Sequence, residues 1–277
     1  MDRCTEIERS IIKKFRKTIW NRFIEAIQSY ELITDGDKIA VCISGGKDSF
    51  LLAKLMQELK NHGHTDFGLE FICMDPGYAP ENRAKIEENC KLLNIPVKIF
   101  ESDIFDAVLN VGGSPCYLCA RMRRGHLYSF AKAQGCNKIA LGHHFNDAIE
   151  TALMGMLYSG QFQTMMPKLH STNFEGMELI RPLYCVREDD IKAFARYNNL
   201  EFLNCACKFT QMLGSELGKD EKEKSSKRYK CKELIAQLKK DNDTVDINIF
   251  RSFHRVNLNT IIGFTKDGKD TSFLDEY

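Results

Sequence analysis

Apolar residues recur about every four positions along the first part of the chain. The series begins at Ile7 and ends at Tyr30, and this spacing is typical of one face of an amphipathic helix. The other faces carry basic side chains, namely Lys13, Lys14, Arg16, Lys17 and Arg22. The pattern predicts one long helix within residues 1–35.

Beyond this helix, short apolar runs alternate with helical segments. The runs predicted as buried strands are "DKIAVCI", "GLEFICMD", "IPVKIF", "NKIALG" and "MELIRPL". Helical patterns follow them, from "KDSFLLAKLMQELKNHG" after the first to "REDDIKAFARYNN" after the last. Such alternation predicts an α/β, Rossmann-like domain with a parallel sheet covered by helices on both faces. We expect it to occupy residues 36–210.

Residues 211–277 lose the alternation. The stretch from Gly214 to Lys240 begins as a charged linker with few apolar residues and then becomes helical. We therefore expect a linker and a C-terminal helical extension beyond the α/β domain.

Composition and charge exclude some classes of protein and favour others. The 277 residues are 43% hydrophobic and carry a formal net charge of only +1, so no strong global field indicates a polyanionic partner. No secretion signal and no apolar run of membrane length appear. The 11 cysteines are an odd number without a secretion signal, which favours a reducing, cytoplasmic environment. Most are expected to be core residues, as for Cys42, Cys73, Cys90 and Cys136.

The segment "SGGKDS", residues 44–49, follows the first predicted strand and opens the next helix. Gly45 and Gly46 allow a tight turn and a close approach of the backbone to a ligand. Helix-start amides can then hold phosphate oxygens, assisted by the hydroxyls of Ser44 and Ser49 and the charge of Lys47. The spacing differs from that of a Walker A loop. It predicts a phosphate-binding loop of another kind.

Two further polar segments follow strands of the predicted sheet. Asp75 ends the second strand, and "GHHFND", with Gly142, His143 and Asp147, follows the fourth. Ligands of such sheets bind beyond the carboxyl ends of the strands, so we expect these residues near the nucleotide. His143 either caps a helix or touches the nucleotide or substrate, and Arg181 either pairs within the core or contacts a phosphate.

Paired cysteines form the second chemical motif. Cys116 and Cys119 are separated by two residues, a spacing typical of metal-binding or redox sites. Their place at a predicted loop-to-helix junction, beside Arg121, Arg123 and Arg124, favours the thiolate form. Cys205 and Cys207 form a second group later in the chain.

The "SGGKDS" segment resembles the SGGxDS signature of the PP-loop ATP pyrophosphatase superfamily, whose members split ATP between the α and β phosphates. The resemblance implies that the loop binds the leaving pyrophosphate and that Asp48 and Asp147 hold Mg²⁺. The segments "SPCYLCARMRRGHLY", "ALGHHFNDAIETALMGMLYSGQF" and "LIRPLYCVREDDIKAFA" also follow in the order of TtcA-type enzymes. Those enzymes and their TtuA-type relatives make 2-thiolated bases in tRNA.

This resemblance assigns the cysteines to a [4Fe-4S] cluster. In the family a CxxC pair and one later cysteine bind the cluster, which implies Cys116, Cys119 and, by position, Cys205 rather than Cys207. The Cys-Ala-Cys spacing here departs from the wider family spacing, and Asn146 stands where the family often has Asp. The alternatives are a structural Zn²⁺ bound by all four cysteines and a persulfide relay between Cys116 and a distant cysteine.

The resemblance implies an ATP-dependent tRNA sulfurtransferase that converts an anticodon-loop cytidine to 2-thiocytidine, with a uridine substrate as the alternative. It also implies a sulfur donor, either free sulfide or a cysteine desulfurase product, and a homodimer. Candidate tRNA contacts are the basic faces of the first helix, the arginines after Cys119, and Lys227, Arg228, Lys230, Arg251 and Arg255. The competing hypotheses are a PP-loop enzyme that adenylates a substrate for an amine acceptor, with a structural zinc, and an ATP-binding metal or redox sensor without turnover.

Overall fold

The computed structural model describes residues 2–102, 115–203 and 226–276. They group into two units, one of Met1–Ala148 with Met165–Ser226 and one of Ile149–Thr164 with Lys227–Tyr277. The boundary expected after residue 210 falls among residues 204–225, outside the described residues.

A six-stranded sheet forms the centre of the first unit. Its strands are β1 (Lys38–Cys42), β2 (Gly68–Asp75), β3 (Val97–Glu101), β4 (Lys138–Ala140), β5 (Lys168–His170) and β6 (Glu178–Ile180). They lie in the order β3-β2-β1-β4-β6-β5, and every neighbouring pair is parallel except β5 with β6. The predicted α/β fold with its parallel sheet is confirmed.

The antiparallel edge strand β5 was not predicted. It is three residues long, and Leu169 and His170 are exposed. A short strand with one free edge needs neither an apolar run nor regular alternation, so its sequence lacks the usual signal.

The described residues also form α-helices, of which the last two belong to the second unit. They are α1 (Arg3–Lys13), α2 (Asn21–Ser29), α3 (Lys47–His62), α4 (Pro80–Leu92), α5 (Pro115–Ala133), α6 (Phe145–Ser159), α7 (Glu188–Tyr197), α8 (Lys227–Asp241) and α9 (Val245–Ser252). Consecutive residues of β1, Ile39 to Val41, are all 0% exposed, so both faces of the central strand are covered. Tyr128 and Ala131 of α5 pack against Ala40 on one face.

The predicted long N-terminal helix is interrupted by a π-helical turn at Arg16–Trp20, between α1 and α2. Trp20 N donates to Phe15 O, five residues earlier. In an α-helix, each apolar residue four positions further along lies about 40° further around the helix axis. The apolar stripe would therefore leave the face that packs on the core. The wider π turn returns the stripe to the core, where Ile7, Ile19 and Phe23 are 0% exposed.

Lys138, the first residue of β4, forms ion pairs at the beginnings of the neighbouring strands β1 and β6. It is 3% exposed, and its Nζ lies 2.8 Å from Asp37 Oδ2 and 3.2 Å from Glu178 Oε2. Burial alone would raise the pKa of Asp37, yet hydrogen bonds from Lys138 and Thr34 bring it below its usual value. Lys138 and Asp37 are therefore both charged and buried, and each has an oppositely charged partner.

Replacing Lys138 with methionine is expected to lower the free energy of unfolding by about 3–5 kcal/mol, because Asp37 would stay buried without its cation. Urea denaturation measures the change. Lys168→Met is the matched control, since the Lys168 side chain is 31% exposed and its Nζ lies 3.9 Å from Glu178. The control should lose less than about 1 kcal/mol. Equal losses in both variants would contradict the role of burial.

The second unit contains the last part of α6, together with α8, α9 and an antiparallel hairpin. The hairpin strands are β7 (Gly263–Lys266) and β8 (Lys269–Ser272). The expected C-terminal extension is thus not wholly helical. The missed signal is Asp267-Gly268, whose φ values of 53° and 75° suit the tight turns that favour Asp-Gly.

Two of the proposed tRNA contacts have partners within this second unit. Arg228 NH1 lies 3.5 Å from Glu150 Oε2, and Lys227 Nζ lies 5.2 Å from the ring centre of Tyr158.

No helix in the described part of the chain combines the length and hydropathy needed to cross a membrane.

Candidate active site at the carboxyl edge of the sheet

The predicted phosphate loop connects β1 to α3. Gly45 adopts φ +86°, and a Cβ at this position would lie 2.9 Å from Leu203 Cδ1 and 3.0 Å from Ile86 Cγ1. Both conformation and space therefore require glycine here. The loop is closed by Ser49, whose hydroxyl accepts from Ser44 N at 3.1 Å and donates to a main-chain oxygen of the loop at 2.9 Å.

The loop after β4 lies against this phosphate loop. A Cβ on Gly142 would be 3.1 Å from Asp48 C and 3.1 Å from Ser49 N. A larger residue in place of Gly142 would therefore require the main chain at Asp48 and Ser49 to move. The close approach brings the "GHHFND" and "SGGKDS" segments together, as the sequence predicts.

His144 lies between two acidic residues of these segments. Its Nε2 is 3.8 Å from Asp48 Oδ1, and its Nδ1 is 3.3 Å from Asp147 Oδ2. His144 N also donates to Asp147 Oδ2 at 2.9 Å. Sequence reasoning had singled out His143, but the buried His144, 7% exposed, is the histidine between the carboxylates.

Asp48 carries an unsatisfied carboxylate oxygen. Its Oδ2 lies 3.1 Å from Lys47 Nζ, while its buried Oδ1 has no hydrogen-bond partner among the described residues. An orphaned carboxylate oxygen fits a hard cation such as Mg²⁺, which prefers oxygen ligands, so Asp48 is a suitable ligand for the predicted ion. Asp147 lies on the other side of the His144 ring, and its predicted contact with Mg²⁺ stays a prediction. Among the described residues, no group of three or more His, Cys, Asp and Glu side chains could hold a metal ion.

Glu188, which sequence reasoning missed, also contacts the loop lysine. It is 8% exposed, and its Oε1 lies 3.5 Å from Lys47 Nζ. Glu188 N donates to Asn146 Oδ1 at 2.9 Å. Asn146 therefore caps α7, whose own N-cap residue Arg187 makes no side-chain cap. The Asn146 side chain therefore has a structural contact at the start of α7.

Asp75 organises the turn that follows β2. Its Oδ1 accepts from Gly77 N at 2.8 Å and Tyr78 N at 2.7 Å, and its Oδ2 lies 3.1 Å from Arg83 NH1. Asp75 is 4% exposed, and both of its carboxylate oxygens already have partners within the protein. Its predicted contact with the nucleotide stays a prediction.

Cys116 and Cys119 lie in the first two turns of α5, three positions apart. This helix begins after β3, at the carboxyl edge of the sheet, where the N-terminal end of a helix favours thiolate. Their side chains, and Cys205 and Cys207 altogether, lie outside the described residues. By contrast, Cys73 is buried, and burial raises its pKa to about 12, as expected for a core thiol.

The chain that leads to Cys205 is anchored beside the phosphate loop. Leu203 N donates to Gly45 O at 3.0 Å, and Asn89 Nδ2 donates to Glu201 O at 2.9 Å. The ring of Phe202 stacks on Phe50 of α3, with centres 5.3 Å apart. Two residues span at most about 7 Å. The described chain thus ends, two residues before the predicted third ligand, in direct contact with the phosphate loop.

Comparison with known proteins identifies relatives that contain a PP-loop domain. The family model of the PP-loop domain matches residues 13–207. A tRNA-cytidine(32) 2-sulfurtransferase of Anaeromyxobacter dehalogenans is 32% identical over 88% of this chain and 81% of its own. Relatives with that name from Coxiella burnetii and Francisella philomiragia are 33% and 35% identical, over 88% and 91% of this chain and 91% and 93% of theirs.

Among solved structures, the U34-tRNA thiolase NcsA from Methanococcus maripaludis, determined with its [4Fe-4S] cluster, superposes with a TM-score of 0.66. It is 20% identical, and the match covers 90% of this chain and 83% of that one, so it speaks for the fold alone. The family model and the extent of the match to the curated relatives settle the classification: the chain belongs to the PP-loop domain family and, within it, to the group of tRNA 2-sulfurtransferases.

Proposed function

We propose that this protein is an ATP-dependent tRNA sulfurtransferase that converts an anticodon-loop cytidine to 2-thiocytidine. The observation that carries the proposal is the meeting of the phosphate loop with the chain leading to Cys205, through Leu203 N and Gly45 O. It occurs in a chain whose curated relatives are tRNA-cytidine(32) 2-sulfurtransferases. This contact supports a site in which activation by ATP and delivery of sulfur take place at one edge of the sheet.

The chemistry has two displacements. The 2-oxo oxygen of the base attacks the α-phosphorus of ATP, and the bond from that phosphorus to pyrophosphate breaks. Sulfide then attacks C2, and the carbon–oxygen bond breaks to release AMP. The first step turns a poor leaving group into a good one, and no net oxidation or reduction occurs.

The residues of the phosphate loop serve the first displacement. The amides at the start of α3 and the Lys47 ammonium group bind the departing pyrophosphate. Asp48 and Asp147 would hold Mg²⁺, which would supply positive charge to the same leaving group. Gly142 keeps the two acidic segments in contact, and Asp75 and His143 border the nucleotide.

Sulfur delivery is assigned to the cysteines. Cys116, Cys119 and Cys205 would hold a [4Fe-4S] cluster, whose three-thiolate ligation leaves one iron open to bind sulfide. Thiols at the beginning of α5, a helix N-terminus, fit that ligand set. The sulfide comes from free sulfide or from a cysteine desulfurase product. We further propose a cytoplasmic homodimer with tRNA as its macromolecular substrate.

The test is anaerobic turnover with tRNA transcript, Mg-ATP and sulfide. We expect 2-thiocytidine by mass spectrometry of digested tRNA, with AMP and pyrophosphate released in equal amounts. A transcript with uridine in place of the target cytidine is the control. Pyrophosphate release that depends on an amine but not on sulfide would instead support the amine-acceptor enzyme. ATP binding without any pyrophosphate release would support the sensor.

A further inference from the structure

Glu188 places a negative charge beside the lysine of the phosphate loop. Its Oε1 lies 3.5 Å from Lys47 Nζ, and the same ammonium group lies 3.1 Å from Asp48 Oδ2. Glu188 is buried, so this carboxylate belongs to the site rather than to the solvated surface. By its charge alone, a carboxylate at this position opposes the binding of an anion such as pyrophosphate. Its presence beside an anion-binding lysine therefore calls for a compensating role.

Lys192 balances the charge of Glu188. Its Nζ lies 3.0 Å from Glu188 Oε2, so the two carboxylate oxygens contact two different lysines. Lys192 follows Glu188 by four positions in α7, which is the favourable order of an acidic and a basic residue on one helix face. The negative charge of Glu188 is thus offset by a cation that is not part of the phosphate loop.

The main chain around Glu188 is fixed by the other loop of the site. Glu188 N donates to Asn146 Oδ1 at 2.9 Å, and Phe145 N donates to Val186 O at 3.0 Å. Both hydrogen bonds join the "GHHFND" segment to the residues at the beginning of α7. The carboxylate is therefore carried by an anchored helix, whereas the ammonium group of Lys47 is at the end of a flexible four-carbon stem.

We propose that Glu188 is a positioning residue that holds the Lys47 ammonium group at the phosphate loop, where it meets the departing pyrophosphate. Asp48 also contacts this ammonium group, but Asp48 is the candidate ligand for Mg²⁺, and a bound ion would compete for its carboxylate. Glu188 keeps its contact with Lys47 in either case. Ordering a long side chain before the ligand arrives lowers the entropic cost of binding. This inference deepens the proposed function and rests on it.

Calorimetric binding of pyrophosphate with Mg²⁺ to the cluster-loaded enzyme tests the inference. Glu188→Gln keeps the size of the side chain but releases the lysine, and it should weaken binding about 5-fold, the cost of ordering one long side chain on binding. Lys47→Met should weaken binding more than Glu188→Gln does. In the Lys47→Met background, Glu188→Gln should cause no further loss, because Glu188 acts through the lysine.

The rate of pyrophosphate release in the full reaction gives a second readout. The ammonium group interacts more strongly as charge develops on the leaving group, so Glu188→Gln should lower kcat about 10-fold, a larger change than the rise in KM for ATP. Lys192→Met should weaken pyrophosphate binding by leaving the charge of Glu188 unbalanced, and Lys192→Arg should lose less.

Two observations separate this role from a structural one. The side chains of Lys47 and Lys192 are 27% and 38% exposed, so Glu188→Gln leaves no cation buried without a partner and should keep its thermal midpoint. Asp189→Asn is the matched control, since it removes the neighbouring carboxylate, whose side chain is 84% exposed. The control should change neither pyrophosphate binding nor kcat.

Two results would overturn the inference. The first is tighter or unchanged pyrophosphate binding in Glu188→Gln, which is expected if the carboxylate acts by its charge alone or has no effect. The second is an equal loss from Glu188→Gln with and without Lys47, which would give Glu188 a role independent of the lysine. Wild-type enzyme that shows the expected coupling but forms no 2-thiocytidine would contradict the proposed function and leave the role of Glu188 in place.

Discussion

Replacing Cys119 with serine is expected to abolish tRNA thiolation while leaving ATP binding intact. The phosphate loop is formed by residues 44–49 and is closed by its own hydrogen bonds, so it does not depend on the cysteine ligands. The cluster, in contrast, needs deprotonated thiols. Serine keeps the size of the side chain but is a far poorer ligand for iron, so the cluster should be lost.

Metal analysis and activity measured together check this result. Anaerobically purified wild type should contain about four irons and four labile sulfides per chain, and Cys116→Ser, Cys119→Ser and Cys205→Ser should each lose them. Cys207→Ser should keep them. Cys4→Ser is the control, since the half-buried Cys4 hydrogen-bonds to Glu8 rather than to any site residue. One zinc per chain that requires all four cysteines would refute the cluster and favour the structural-metal alternative.

The second large effect is expected from Asp48→Asn. The buried Oδ1 of Asp48 has no hydrogen-bond partner among the described residues, and His144 Nε2 is 3.8 Å away. If that oxygen binds Mg²⁺, the amide removes both a ligand and a charge from the leaving-group site. Loss of one such electrostatic contribution reduces turnover by about 10²–10³-fold.

Pyrophosphate release measured against Mg²⁺ concentration separates this role from a structural one. Asp48→Asn should require more Mg²⁺ and release pyrophosphate slowly, yet retain its iron and its thermal midpoint. Asp189→Asn is the matched control, because the Asp189 side chain is 84% exposed at the start of α7. Full activity of Asp48→Asn at ordinary Mg²⁺ concentration would exclude Asp48 as a ligand.

The elements predicted correctly are those whose signal is local. β1 and α3 are contiguous apolar patterns joined by a glycine pair, and the requirement for glycine at Gly45 follows from its φ of +86°. The alternation of strands and helices determines a parallel sheet, because parallel strands need crossover connections. The carboxyl-edge location of the site then follows from topology.

The errors have local causes too. The π turn at Arg16–Trp20 results from a four-residue repeat that an α-helix cannot keep on one face. The hairpin at Asp267-Gly268 carried its turn signal but lacked apolar strands, with Phe264 its one large apolar residue. A short exposed hairpin is held by its turn and its main-chain ladder.

By itself, the sequence determined the fold class, the phosphate loop and the cysteine pair, because each depends on residues that are close along the chain. The tertiary structure alone decided that His144 rather than His143 lies between Asp48 and Asp147, and that Asn146 caps α7. It also decided that Arg181 donates to His143 Nδ1 and to Met166 O. These outcomes depend on distances between separate loops and helices. No pattern along one segment contains them, since packing of the whole sheet edge sets which side chains meet.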